Sequence, residues 1–379
     1  MSELPSWPVS TDRERELLGQ VLESPQWGGF NPMIGEFERK FAAYQHCAHG
    51  VAAVNGTVTL EMMLVAAGIG PGDEVIVPAI SFVSTASAVS RVGATPVFVD
   101  IEPFSFNMDP AQARRAVTAK TKAIMAVHFG GPLADMDALM GLAAETGVML
   151  LEDAAHAHGA EWRGKRAGSF GLASSFSFQN GKVMTAGEGG IVLTNDGAFA
   201  ERMRSIMNQG RRPGHSFFHH FEAGNNYRMS ALHAAVLLAQ LERLDEQIEM
   251  RMRNWLLFAA AFDGLPGLRW QEVPAAVNRN PWYLLLGRID AAVFGETRDA
   301  FCARLEASGI PVTPFYPHTL YQNPMYRGGL PHRVLPCPNA EACVRDAFWL
   351  PFRLLMGSGA MTARIADVLR VGRLSVEPK

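Results

Sequence analysis

The chain predicts an α/β protein, with a mostly parallel sheet flanked by helices in a large domain and a smaller α+β domain at the C-terminal end. Three observations carry this. Between residues 50 and 195, short apolar segments alternate with helical ones, the pattern of βαβ units. Those segments are apolar on both faces, as strands covered by helices on both sides are. A length of 379 residues also exceeds the usual single core and predicts two domains, residues 1–250 and 251–379.

The elements follow in order. Thr11-Asp12-Arg13-Glu14 has the spacing of a capping box and opens a helix with Leu17, Leu18, Val21 and Leu22 on one side. A glycine-bearing loop at 27–32 leads to a second helix carrying Phe37, Phe41 and Tyr44 at helical spacing. Strands are expected at 74–77, 96–100, 123–127 and 149–152, with helices near 57–68, 84–92, 109–117 and 135–146. Two further strands, 174–178 and 190–194, flank a glycine-rich turn. A long helical region begins near Met229 and carries Leu237, Leu241, Leu244 and Ile248. Beyond residue 255 the character changes: 284–289 reads as a strand, 301–306 as helical, and 311–336 is rich in proline and aromatics.

Composition excludes several classes. A hydrophobic fraction of 48% and a charged fraction of 19% are those of a packed globular chain. A net charge of −3 gives no electrostatic argument for nucleic acid or an anionic membrane. No apolar run of about 18 residues predicts a membrane span. The N-terminal Met1–Pro8 stretch lacks a basic start and an apolar core, so no secretory leader is expected. Cys47, Cys302, Cys337 and Cys343 have no metal-type spacing and read as reduced thiols of a cytoplasmic protein.

The most informative stretch is Ser175–Gly190. Lys182 stands between an apolar strand and a glycine-rich turn, preceded by Ser175 and Ser177. A lysine there can form a Schiff base with an aldehyde cofactor while the serines hold its phosphate; it also fits a solvated turn. Gly56-Thr57 opens a helix and presents backbone N–H groups and a hydroxyl to an anion, although Thr57 also reads as a simple N-cap. Asp153, at a strand end, can pair with a ring nitrogen or cap the next turn. His156 and His158 point apart on a helix, and no ligand cluster supports a metal. Phe82, just past a strand end, can stack on a flat ring or lie in the core. Walker A, GxSxG and dinucleotide-loop patterns are missing, since Gly181-Lys182 is followed by Val183 and the 187–190 glycines precede a strand. An anion-binding Gly-Thr, a stacking aromatic, a strand-end aspartate and a lysine, in that order, specify a site for pyridoxal 5′-phosphate.

The chain resembles the DegT/DnrJ/EryC1/StrS family of pyridoxal-phosphate-dependent aminotransferases, of fold type I. The likeness runs through 70–78, 121–128, 152–160, the Lys182 segment, 224–229 and 240–244. It implies that Lys182 bonds to the cofactor aldehyde, Asp153 keeps the ring nitrogen protonated, Phe82 stacks on the ring, and Gly56, Thr57 and Ser177 hold the phosphate. His156 then lies beside the ring oxygen, in a position that is often Gln in the family. Asn226 resembles a phosphate contact from a partner subunit, which implies a homodimer with shared active sites, and Arg228 orders the same loop. The activity implied is transfer of an amino group from L-glutamate or L-glutamine to a keto-sugar or keto-cyclitol, in amino-sugar, aminocyclitol or secondary-metabolite biosynthesis. Segments 315–324, 337–341 and 348–353 resemble scyllo-inosose aminotransferases, whereas 176–182 and 153–158 are equally similar to 3-amino-5-hydroxybenzoate synthases. The latter dehydrate and aromatise a ring with the same cofactor. A non-catalytic regulatory protein on the same fold is the third reading.

Overall fold

The structure, a computed structural model, describes residues 5–260 and 265–358 together with Ala363 and Asp367. The first helix, Asp12–Glu23, starts at the Thr11 capping box, with the Glu14 carboxylate accepting from the Thr11 backbone N–H at 2.9 Å. It packs on the helix Ala231–Glu242, as does the second helix, Pro32–Tyr44.

In chain order the strands are β1 (His49–Ala53), β2 (Glu74–Pro78), β3 (Thr95–Val99), β4 (Thr121–Val127), β5 (Met149–Asp153), β6 (Glu161–Trp162), β7 (Lys165–Arg166), β8 (Ala173–Ser177) and β9 (Gly190–Thr194). The C-terminal part adds β10 (Leu268–Trp270), β11 (Val277–Arg279), β12 (Leu284–Ile289), β13 (Thr313–Pro314), β14 (Arg333–Val334) and β15 (Ala347–Pro351). The large sheet has eight strands in the order β1-β9-β8-β5-β4-β2-β3-β14. Its pairings are parallel from β8 to β14, and only β9 runs against the rest. Val75, Ile76 and Val77 are all fully buried, which is why β2 reads as an unbroken apolar run rather than an alternation. Burying each such side chain is worth about 1.5–3 kcal/mol relative to leaving it in water.

A four-stranded antiparallel sheet, β10-β12-β15-β13, forms the smaller unit, with its own core around Phe258, Leu285, Phe301, Phe348 and Leu350. The expected division after residue 250 falls inside the helix Leu244–Ala260, so one helix spans both parts. The C-terminal part also returns to the large domain: β14 joins the large sheet beside β3, and β11 pairs with β6 in a separate three-stranded sheet, β11-β6-β7. Two residues are too short a run to show a strand period, so β14 leaves no mark in the sequence.

The sheet places the chemistry. β5 ends on Asp153 and β8 on Ser177, while the helices Gly56–Ala66 and Ser84–Arg91 start beyond the ends of β1 and β2. Side chains at this carboxyl edge face a cleft that the smaller unit closes from the other side, the usual ligand position in open α/β sheets.

Candidate active site

The cleft has a volume of about 620 Å³. From the large sheet it is lined by Gly56, Thr57, Phe82, Asp153, His156, Ser177 and Lys182, and from the smaller unit by Tyr283, Tyr316 and Trp349. The structure thus brings seven of the eight expected site residues to one place. The eighth, Asn226, is exposed on the segment that bridges to Asn208, and it does not line this cleft.

At one end lies a cradle suited to a phosphate. Asn55, not Thr57, caps the helix Gly56–Ala66, its side-chain oxygen accepting from the Val58 N–H at 3.0 Å. Gly56 and Thr57 are therefore the first helical residues, where backbone N–H groups have no partner within the helix and favour an anion. The Thr57 hydroxyl bonds to the Ser84 hydroxyl at 2.7 Å. A Cβ on Gly56 would stand 2.7 Å from Ser177 Cβ, so only glycine lets the helix end approach β8 this closely. Ser175 does not belong to the cradle. Its hydroxyl lies 2.6 Å from that of Thr59, buried beneath the helix, because it sits one strand period deeper than Ser177.

Asp153 is buried at the end of β5. One oxygen accepts from the Thr85 hydroxyl at 2.7 Å, which itself bonds to Ser81, and the other from the Ala155 N–H at 3.3 Å. Burial pushes its carboxyl above the usual range, against the pull of Thr85, Ala155 and the charge of Lys182. A carboxylate in this setting is stabilised by a cationic partner, as a protonated ring nitrogen is. His156 accepts a backbone N–H from Gly130 at Nδ1, 3.3 Å away, so the proton of the neutral ring sits on Nε2. Burial, and then the charge of Lys182, hold its pKa well below the ordinary value. Its ring lies 4.3 Å from that of Tyr283.

Lys182 extends from a tight turn closed by its own N–H to the Gln179 carbonyl at 2.9 Å. Its Nζ sits 4.6 Å above the Tyr283 ring, and among the described residues it forms no ion pair. Phe82 leaves 57% of its surface exposed at the cleft, an apolar face available to a flat ligand. The residues fit pyridoxal phosphate: a glycine cradle that a Cβ would fill, an amine without a counter-ion, and a buried carboxyl.

Other candidates lie elsewhere. His158 is fully buried, with Nε2 2.9 Å from the Ser177 carbonyl and its ring against Phe176 and Phe178. Arg228 bonds to the Asn208 side chain at 2.9 Å, within the 208–228 loop. Among the described residues no three His, Cys, Asp or Glu side chains gather as a metal site. Sequence reasoning missed Ser84 and Thr85, although a Ser-Thr pair opening a helix after a strand was a readable signal. It also missed Tyr283, Tyr316 and Trp349, which lie at least 100 residues from Lys182 and carry no local signal.

The matching family model, described as the DegT/DnrJ/EryC1/StrS aminotransferase family, covers residues 8–370. The chain belongs to that family. It is a pyridoxal-phosphate-dependent aminotransferase of fold type I. A relative named 3-amino-5-hydroxybenzoate synthase, from Amycolatopsis mediterranei, is 40% identical over 97% of this chain and 96% of its own. One named L-glutamine:2-deoxy-scyllo-inosose aminotransferase, from Streptomyces lividus, is 37% identical over 97% of this chain and 95% of its own. A crystal structure of 3-amino-5-hydroxybenzoic acid synthase aligns with a TM-score of 0.93 and 39% identity, covering 99% of both chains.

Proposed function

We propose that this aminotransferase moves an amino group from L-glutamate or L-glutamine to a keto-sugar or keto-cyclitol. The observation that carries the reading is Lys182, an amine without a counter-ion among the described residues, in one cleft with buried Asp153 and the Gly56 cradle. When bound, pyridoxal phosphate supplies an aldehyde that takes up the amino group and a conjugated ring that accepts the electron pair released at the substrate Cα. Lys182 would hold the cofactor's aldehyde and, as a free amine, would carry the proton to and from that carbon. Asp153 would pair with the ring nitrogen and keep it protonated, neutral His156, with its proton on Nε2, would donate to the ring oxygen, Phe82 would stack on the ring, and Gly56, Thr57 and Ser177 would hold the phosphate.

Asn226, which the family likeness makes a phosphate contact, is exposed and lies outside the cleft of its own chain, which supports its reaching the site of a second copy and hence a homodimer with shared sites. The four cysteines are buried and free, and no helix among the described residues is long and apolar enough to cross a membrane; we place the protein in the cytoplasm on this basis.

A second reading, an enzyme like 3-amino-5-hydroxybenzoate synthase, has the TM-score of 0.93 in its support but no more than the first reading has in the sequence relatives. One experiment separates the two. With glutamine or glutamate alone, the aminotransferase reading expects one equivalent of the corresponding 2-keto acid per bound cofactor, and catalytic release once a keto-cyclitol or keto-sugar is added. No keto acid with either donor sinks the first reading.

A further inference from the structure

Tyr283 stands on a segment held from several sides. Trp282 before it has a left-handed backbone, φ 52°, which a bulky residue adopts only when its surroundings impose it. Its N–H donates to the Asn280 side chain at 3.0 Å, and its ring stacks on Trp255 with centroids 3.9 Å apart. The preceding carbonyl, that of Pro281, accepts from Arg251 Nε at 2.6 Å. Arg251 is wholly buried and forms no ion pair among the described residues; besides this backbone contact, one guanidinium nitrogen lies 3.4 Å from Met356 Sδ and the group sits over the Phe352 ring. On the far side, Leu284 donates its N–H to the Gly130 carbonyl at 3.0 Å, and Gly130 is also the donor to His156. The strap thus fixes a ring between His156 and Lys182. Asp153 and Glu188 also line the cleft, yet neither pairs with Lys182, and the Tyr283 face is its direct contact.

We propose that the face of Tyr283 is where the detached Lys182 amine rests while it carries a proton, and that Arg251, through Pro281 and Trp282, keeps that face in place. The inference rests on the role given to Lys182 above. An aromatic face attracts an ammonium group through its negative quadrupole but has no site that takes the proton. The amine is therefore held beside the reacting carbon and remains able to give the proton up. A carboxylate in the same place would form a salt bridge and hold the proton more firmly. Tyr283 is thus a catalytic residue, and Arg251 a positioning residue that acts through it.

The test uses cofactor-free protein, in which Lys182 is a free side chain. Acetylation of Lys182 by acetic anhydride at fixed pH is followed by peptide mass spectrometry, since only the unprotonated amine reacts. Tyr283→Leu is expected to speed acetylation about two- to fivefold, the population shift that losing an exposed cation–π contact gives. Tyr283→Phe keeps the face and is expected to react at the wild-type rate. A fluorinated phenylalanine at this position keeps the shape, weakens the face and falls between the two, so it decides the matter if the leucine variant does not fold. Arg251→Met is expected to behave as Tyr283→Leu, with rescue by Arg251→Lys, which retains one donor for the Pro281 carbonyl. Wild-type rates in both the leucine and fluorinated variants overturn the proposal, as does a phenylalanine variant as fast as leucine. A wild-type rate in Arg251→Met overturns the part given to the strap. Borohydride trapping of the cofactor on wild-type Lys182 is run alongside; its failure refutes the role of Lys182 itself and is thereby distinguished from a failure of this proposal.

Discussion

Gly56→Ala tests the cradle at the point where its geometry is tightest. The new Cβ would stand 2.7 Å from Ser177 Cβ and 3.2 Å from its hydroxyl oxygen. Carbon atoms pack at about 3.5–4.0 Å, so the helix end and β8 must part by about 1 Å. A shift of that size spoils the aim of one N–H or hydroxyl at the phosphate. Each hydrogen bond to a charged group contributes about 1.5–3 kcal/mol, which predicts an about ten- to hundredfold weaker affinity for pyridoxal phosphate. The assay is titration of cofactor-free protein by fluorescence or dialysis, with pyridoxal as the control ligand that has no phosphate. Pyridoxal binding should change much less. Wild-type affinity for the phosphate ester, or an equal loss for both ligands, would show that Gly56 does not shape an anion site.

Asp153→Asn keeps an oxygen for the Thr85 hydroxyl but loses the negative charge. We expect kcat to fall at least about a hundredfold, as for other single electrostatic groups at a reacting centre, with cofactor affinity changed less than about tenfold; unchanged kcat would remove Asp153 from the chemistry. His158 makes stability depend on pH. Burial, and then the charge of Lys182, lower its pKa from 6.5 to about 3, against the opposing pull of the Ser177 carbonyl. The unfolded chain therefore binds a proton that the folded one refuses. The contribution is complete above pH 6.5 and is lost as pH falls toward 3, on the order of 1 kcal/mol of it by pH 5.5. Urea unfolding at pH 7.5 and 5.5 should show this loss reduced in His158→Gln; an identical pH dependence in both proteins would contradict it. On the proposed homodimer with shared sites, Asn226→Ala should weaken cofactor retention, measured by dialysis and sedimentation; monomeric protein that retains its full cofactor would contradict a shared site.

What the sequence revealed follows the range of the interactions. Runs such as 74–77 and 190–194 stood out because a strand buried on both faces must be apolar throughout. Among the parallel strands the residues at the carboxyl ends, Asp153 and Ser177, thereby fall at the edge where ligands sit, whereas β9 runs the other way. Ser175 was misread because a strand period puts it on the same face as Ser177, and only the third dimension shows that Thr59 covers it. Thr57 was open to reading as a cap because Asn55 and Thr57 are both good caps, and backbone angles decide between them. Tyr283 and Arg251 stayed silent because their meaning lies in contacts across the boundary between the two parts of the chain.

The central claim is that Lys182 carries the cofactor. Holoenzyme reduced with borohydride, digested and mapped by mass spectrometry should show the pyridoxyl group on the peptide containing Lys182, and Lys182→Ala should show no trapped cofactor. A pyridoxyl group on a different lysine, or undiminished trapping in Lys182→Ala, would contradict the account.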